Sequence, residues 1–287
     1  MRKAIIFCLI ALTIMILGVE GCPAALPGGT GGGTTAGKGL NSEIVSGVGY
    51  ISSGKEVSLG ESLYVKVHLE NYDKQSHSGQ ICIRDDIADA YGGIPKDECK
   101  SFSIKNAETI GVSGKEQLQS AKADVQFPET EGYSYHDIPI LQAAKLFVDL
   151  KYADSSKITG VLNVPDPETE KLSLVQDSAV LKIDAEKTII KMAEGYSVEL
   201  QITIQKIMAD AKIYSPDFTR ENFLLIGLSP LDFKCNLGIE NGLEFENTKF
   251  IRCSALVSEE TQTAYPLVIS LNYGAKISKS YNFNIKI

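Results

Sequence analysis

The chain has 287 residues and a formal net charge of −8, with 28 Lys+Arg against 36 Asp+Glu. An acidic chain lacks the basic patch that nucleic acid requires, and it offers no polybasic route to anionic lipid. Apolar residues make up 44% of it, enough to bury a sizeable core, and it contains no tryptophan.

The N-terminus has the pattern of a secretory signal over residues 1–21. Arg2 and Lys3 form a short positive region, Ala4 to Leu17 is an apolar stretch, and Gly18-Val19-Glu20-Gly21 leads to Cys22. A membrane-spanning helix needs about 20 apolar residues, so this stretch is short for one. Val19-Glu20-Gly21-Cys22 resembles the lipobox of prokaryotic lipoproteins: a branched aliphatic at −3, a small residue at −1, then the cysteine that carries lipid. Glu20 departs from the usual small residue at −2. Cleavage without lipid, or an uncleaved anchor, are the alternatives. Cleavage before Cys22 removes Arg2, Lys3 and Glu20 and makes the mature chain one charge more negative. Its membrane attachment would then come from the N-terminus alone.

Residues 22–42 read as the lipidated Cys22 and a flexible linker. Pro23 to Ser42 holds seven glycines and three threonines, and Lys38 is its one charged residue. Such a segment behaves as a coil spanning roughly 25 Å root-mean-square.

Beyond the linker the pattern is alternation. Leu63, Val65, Val67 and Leu69 fall on one face and Tyr64, Lys66 and His68 on the other, which is a half-buried strand. Val198, Leu200, Ile202 and Ile204 alternate with Glu199, Gln201, Thr203 and Gln205 in the same way. Helical spacing is weak and confined to Lys115–Ala123 and Thr219–Ile226, the latter with Thr219 as a candidate cap.

Cys8 lies in the signal core, so four cysteines remain besides Cys22: Cys82, Cys99, Cys235 and Cys253. Four cysteines allow three connectivities. Their even spacing and wide separation favour Cys82–Cys99 and Cys235–Cys253, one bridge in each half, as suits an exported protein. Each closed loop of about 18 residues should stabilise by roughly 3 kcal/mol. A four-cysteine zinc site is the rival, but it lacks any C-x2-C spacing.

The halves echo one another. Gly60-Glu61-Ser62-Leu63 and Gly195-Tyr196-Ser197-Val198 each open a strand. Val148-Asp149-Leu150-Lys151-Tyr152 resembles Ile269-Ser270-Leu271-Asn272-Tyr273 as a closing strand. The expected fold is all-β, with two Ig-like antiparallel β-sandwich domains over 43–166 and 167–287, jointed near Pro165-Asp166-Pro167. One elongated β domain is the alternative.

The signal, Cys22, the Gly/Thr linker and a cysteine pair in each strand-rich half resemble archaeal or bacterial surface lipoproteins with tandem Ig-like domains. Val65-Lys66-Val67-His68-Leu69-Glu70-Asn71, after Gly60-Glu61-Ser62, is similar to the opening of CARDB-type adhesion modules. The resemblance covers about 43–150 loosely and the rest more weakly. It implies surface display or binding and supplies no catalytic residues.

The three histidines, His68, His77 and His136, fall in no H-E-x-x-H arrangement, and neither a G-x-S-x-G elbow nor a Walker loop occurs. His68 lies on the polar face of a strand and His77 in a polar loop. The acidic loop 83–98, with Asp85, Asp86, Asp89, Asp97 and Glu98 around Gly92-Gly93, could hold a structural calcium ion or be a solvated loop. Asp85, Asp86 and Asp89 are its candidate metal ligands. A second acidic loop, Glu240, Glu244 and Glu246, is a weaker candidate. No other cofactor is expected. Tyr133, Tyr135 and His136, with Phe127, form a dense aromatic cluster that could contact a partner or cover the sandwich end as core. Phe218 and Phe223 to Leu228 read as buried. The expectation is a non-enzymatic lipoprotein on the outer face of the cell membrane, serving in adhesion, envelope structure or binding of a protein or glycan partner. A solute- or calcium-binding lipoprotein and a secreted hydrolase are the rivals.

Overall fold

A computed structural model describes residues 39–96, 98–112, 115–164, 170–174, 179–237, 242–258 and 263–287. The signal-like segment, Cys22 and the linker up to Lys38 lie outside the described residues, as do Asp97, the 165–167 joint, Glu240 and Asn241. The described residues belong to one compact unit, Ala36–Ile287.

The protein is all-β. In chain order the strands are β1 (Leu40–Ile44), β2 (Glu56–Ser58), β3 (Val65–Asn71), β4 (His77–Asp85), β5 (Glu98–Ile104), β6 (Glu108–Val112), β7 (Lys115–Gln119), β8 (Ala121–Phe127) and β9 (Gln142–Val164). They continue as β10 (Glu170–Lys171), β11 (Leu181–Met192), β12 (Gly195–Lys206), β13 (Ala211–Tyr214), β14 (Phe223–Ser229), β15 (Lys234–Cys235), β16 (Gly242–Glu244), β17 (Thr248–Val257) and β18 (Thr263–Lys286). Among the described residues the one helical piece is a single 3-10 turn, Asp89–Tyr91, and no helix is long and apolar enough to cross a membrane.

Both weak helix candidates are strands and turns instead. Lys115–Gln119 is the return arm of a hairpin with β6, and Ala121–Phe127 pairs along the whole of β3. Thr219–Ile226 begins in a turn where Phe218 and Asn222 have φ of 60° and 56°, values a right-handed helix cannot accommodate. Asp217 Oδ1 accepts hydrogen bonds from Ser215 Oγ at 2.5 Å and Thr219 Oγ1 at 2.9 Å, which fixes that turn. Local side-chain bonding and ladder pairing here override a marginal helical pattern.

The organising feature is the antiparallel ladder of β9 with β18. It runs without a break from Gln142↔Ile285 to Val164↔Thr263. At 23 residues, β9 would extend ~70 Å if straight. β9 alternates inward and outward along its length, with Ala144, Leu146, Val148, Leu150, Tyr152, Ile158, Leu162 and Val164 buried. β18 answers with Leu267, Ile269, Leu271, Tyr273, Ala275, Ile277, Phe283 and Ile285. Val148–Tyr152 and Ile269–Tyr273 were expected to close separate sandwiches. They lie instead in two strands that are hydrogen-bonded to each other.

The first half of β9 also pairs with β4, which pairs with β5, while the end of β18 takes β2 in parallel. Over this stretch lies the sheet β1-β3-β8. Its edges are stitched to the larger sheet: Lys100 Nζ on β5 donates to Gln126 O on β8 at 2.7 Å, and Lys279 Nζ on β18 donates to Ser42 O on β1 at 2.6 Å. These contacts cover strand edges that would otherwise present unpaired backbone. Around the other half of the ladder, β18 pairs with β14 and β13, and the sheet β10-β11-β12-β17-β15 packs its buried face, including Ile183, Leu200, Ile202 and Ile251, into the same continuous core.

Both expected disulfides form. Cys82 faces Cys99 across β4 and β5, and Cys235 faces Cys253 across β15 and β17, each with a Cα–Cα distance of 4.0 Å. The four thiols are therefore paired, and the four-cysteine zinc alternative is excluded.

Candidate functional site

The acidic loop is held by its own carboxylates. Asp85 Oδ2 accepts hydrogen bonds from Tyr135 Oη at 2.7 Å and the Ile94 N–H at 2.9 Å, and Oδ1 accepts the Ile87 N–H at 3.1 Å. Burial pushes the Asp85 carboxyl above its ordinary range, and these three donors oppose that shift. Asp86 Oδ1 accepts the Lys145 N–H at 2.6 Å, and Asp89 pairs with Lys96 at 3.1 Å on the surface. The three candidate ligands thus serve different partners and share none. Among the described residues no three His, Cys, Asp or Glu side chains group as a metal site. Gly93, at φ 90°, allows this closure: a Cβ there would sit 2.2 Å from the Tyr135 ring and 2.7 Å from Asp85 Oδ2.

Tyr133 and Tyr135 are core rather than contact surface, with relative exposures of 7% and 0%. Tyr133 Oη donates to the Glu98 carboxylate, and the Tyr135 ring lies 5.9 Å from Phe283. Burial raises both phenols well above their ordinary range, reinforced by Glu98 and Asp85 respectively. Of the expected cluster only His136 reaches solvent, where its Nδ1 lies 3.0 Å from Asp137 Oδ2.

His68 faces Asp124 across β3 and β8 at 2.7 Å, on the polar outer face as expected. Asp124 is held below its ordinary range by hydrogen bonds to Lys66 and then His68. His77 is not in an open loop. It opens β4, is 4% exposed, and sets its Nε2 2.9 Å from Asp73 Oδ2. Its ring meets Tyr152 edge-on, with 5.0 Å between centroids.

His77 belongs to a buried polar seam at the middle of the long ladder. Here the apolar face of β9 is interrupted by Asp154 and Ser156. Tyr273 Oη, from the facing position on β18, donates to Asp154 Oδ2 at 2.5 Å. Asn71 Nδ2 donates to the carbonyls of Gln75 at 2.7 Å and Lys105 at 2.8 Å, and Asn71 Oδ1 accepts the Asp73 N–H. Hydrogen bonds tie the end of β3 to the start of β4 through Asn71, Asp73 and His77, and β9 to β18 through Asp154 and Tyr273, and the two sets meet at the ring contact of His77 with Tyr152; satisfied buried polar groups fix one arrangement of their neighbours. Its signal was present in the sequence. Period-two alternation through Leu150, Tyr152 and Ile158 puts Asp154 and Ser156 in the inward register, and an inward aspartate demands a partner.

Burial raises the Asp154 carboxyl above its ordinary value, against the Tyr273 donor and the nearby His77. A carboxyl with a raised folded-state pKa contributes stability while it is protonated, and loses that contribution as pH rises through the folded value. The stability of the native chain relative to an Asp154→Asn variant should therefore increase as pH falls from 7 towards 4. Urea unfolding of both chains across that range checks this, and a pH-independent difference would show the carboxyl is not strained by burial.

Comparison with protein-family models and with curated proteins finds no match to the chain.

Proposed function

We propose that the chain is an exported, non-enzymatic surface lipoprotein, anchored through Cys22, that presents its β unit on the outer face of the membrane to a protein or glycan partner. The observation that carries this reading is the combination of the Ala4–Leu17 stretch ending at Gly21-Cys22 with two disulfides downstream. Structural disulfides form and persist in oxidising compartments, so the bridges fit the destination that the N-terminus addresses. The architecture adds a second support. A long hydrogen-bonded ladder with stitched edges is a stiff scaffold, and the β6–β7 pair, a two-stranded sheet of its own, carries exposed polar side chains such as Glu108, Thr109 and Gln117. Loops and hairpins on a rigid frame are where binding residues concentrate.

A Cys22→Ala chain is expected to leave the membrane fraction and appear in the soluble one. The mature native chain should begin at a lipid-modified Cys22 by mass spectrometry. If the native chain keeps residues 1–21 and carries no lipid by mass spectrometry, the anchor is the uncleaved apolar segment, and lipidation is dismissed.

A further inference from the structure

Beside the buried polar seam lies a surface cavity of about 360 Å³, lined by Gly39, Leu40, Asn41, Tyr72, Met208, Asp210, Ile277 and Lys279. Four separate stretches of chain build it: the start of β1, the residue after β3, the connection between β12 and β13, and β18. Its volume falls within the range of small-molecule sites. Leu40 and Ile277 supply a buried apolar floor, at 1% and 4% exposure. Lys279 Nζ is positioned by hydrogen bonds to Asn41 Oδ1 at 2.8 Å and Ser42 O at 2.6 Å, which leaves one of its three protons unassigned. Asp210 is exposed and forms no ion pair with Lys279.

The cavity therefore carries one fixed cation and one carboxylate, not neutralised by each other, around an apolar floor. A purely anionic or cationic ligand would meet one of these charges unfavourably. A neutral apolar ligand would strip water from both without replacing it. We propose that this cavity binds short zwitterionic peptides or amino acids with an apolar side chain. Their carboxylate meets Lys279 and Asn41, their ammonium meets Asp210, and their side chain rests on Leu40, Met208 and Ile277. The site takes walls from both halves of the core, so occupancy should tighten their junction. It is independent of how the chain is anchored.

The test uses the full chain in detergent micelles with the dipeptide alanyl-leucine as probe. Calorimetric titration should give saturable one-to-one binding, and the peptide should raise the unfolding midpoint in proportion to occupancy. Asp210→Asn should weaken binding at least about 10-fold while leaving the fold intact, because Asp210 is exposed and accepts no hydrogen bond among the described residues. The same peptide acetylated and amidated, and so uncharged at both ends, should not bind the native chain. The proposal is overturned by an absence of heat and midpoint shift up to about 10 mM peptide, far above any working affinity. It is equally overturned if the capped peptide binds as well as the free one, or if Asp210→Asn binds unchanged.

Discussion

A fragment ending at Val164 is expected not to fold, although it contains the whole of the first sequence half. In the full chain, β9 finds its partner 99 or more residues later, in β18, from Val164↔Thr263 outward to Gln142↔Ile285. Without β18 the first half loses the strand that lies beside Ala144, Leu146, Val148 and Leu150. It also loses the buried side chains Ile277, Phe283 and Ile285. Burying a large apolar side chain contributes about 1.5–3 kcal/mol, so these three together approach the whole stability of an ordinary domain, about 5–15 kcal/mol. Circular dichroism and amide dispersion in NMR check this. Residues 39–164 should show neither a cooperative transition nor dispersed resonances until the 263–287 segment is supplied. Cooperative unfolding of 39–164 alone would show that the first half is self-sufficient, with its own boundary near 166.

Replacing Cys82 and Cys99 together by alanine is expected to lower stability by about 3 kcal/mol, and replacing Cys235 and Cys253 by a similar amount. The sequence separations of 17 and 18 residues are nearly the same, so loop closure predicts nearly equal global effects. At roughly 2–4 °C per kcal/mol for a domain of this size, each pair should shift the unfolding midpoint by about 6–12 °C. The local consequences should differ. β5 keeps seven residues of ladder on β4 after its bridge is lost, whereas β15 has only two residues of ladder on β17. Hydrogen exchange around Lys234 and Cys235 should therefore rise towards the unprotected limit in the second variant, while β5 remains protected. Equal protection in both would mean that β15 is held by packing of Phe233 and Leu237, not by the bridge.

The alternation that sequence reading found in Leu63–Leu69 and Val198–Ile204 is the alternation of burial seen in β3 and β12. Such a pattern is local, since neighbouring side chains on a strand point to opposite faces whatever the strand pairs with. The cysteine pairing was legible for a related reason: two close, widely separated pairs leave one economical connectivity. The candidate sites were read less well. Asp85, Asp86 and Asp89 look like metal ligands when only their charge is visible. Their partners Tyr135, the Lys145 N–H and Lys96 come from distant loops and strands that sequence spacing does not bring together. Tyr135 could be read from sequence either as a partner contact or as core covering the sandwich end; its burial against Phe283, far along the chain, decides for core.

The amino-acid order by itself determined the all-β character, the strand faces and the two disulfides, because these depend on residue type and on spacing within a few tens of residues. Which strands lie side by side was decided only by the tertiary structure. Two apolar strands such as β9 and β18 could each have closed a sandwich of its own. The registration of Tyr273 against Asp154 shows what distinguishes the shared ladder: a buried carboxylate of β9 opposite the one phenol on β18 placed to donate to it. A hydrogen bond between residues 119 apart in sequence exists only once the chain has closed on itself, so the polar seam and the cavity beside it are properties of the fold and not of any segment.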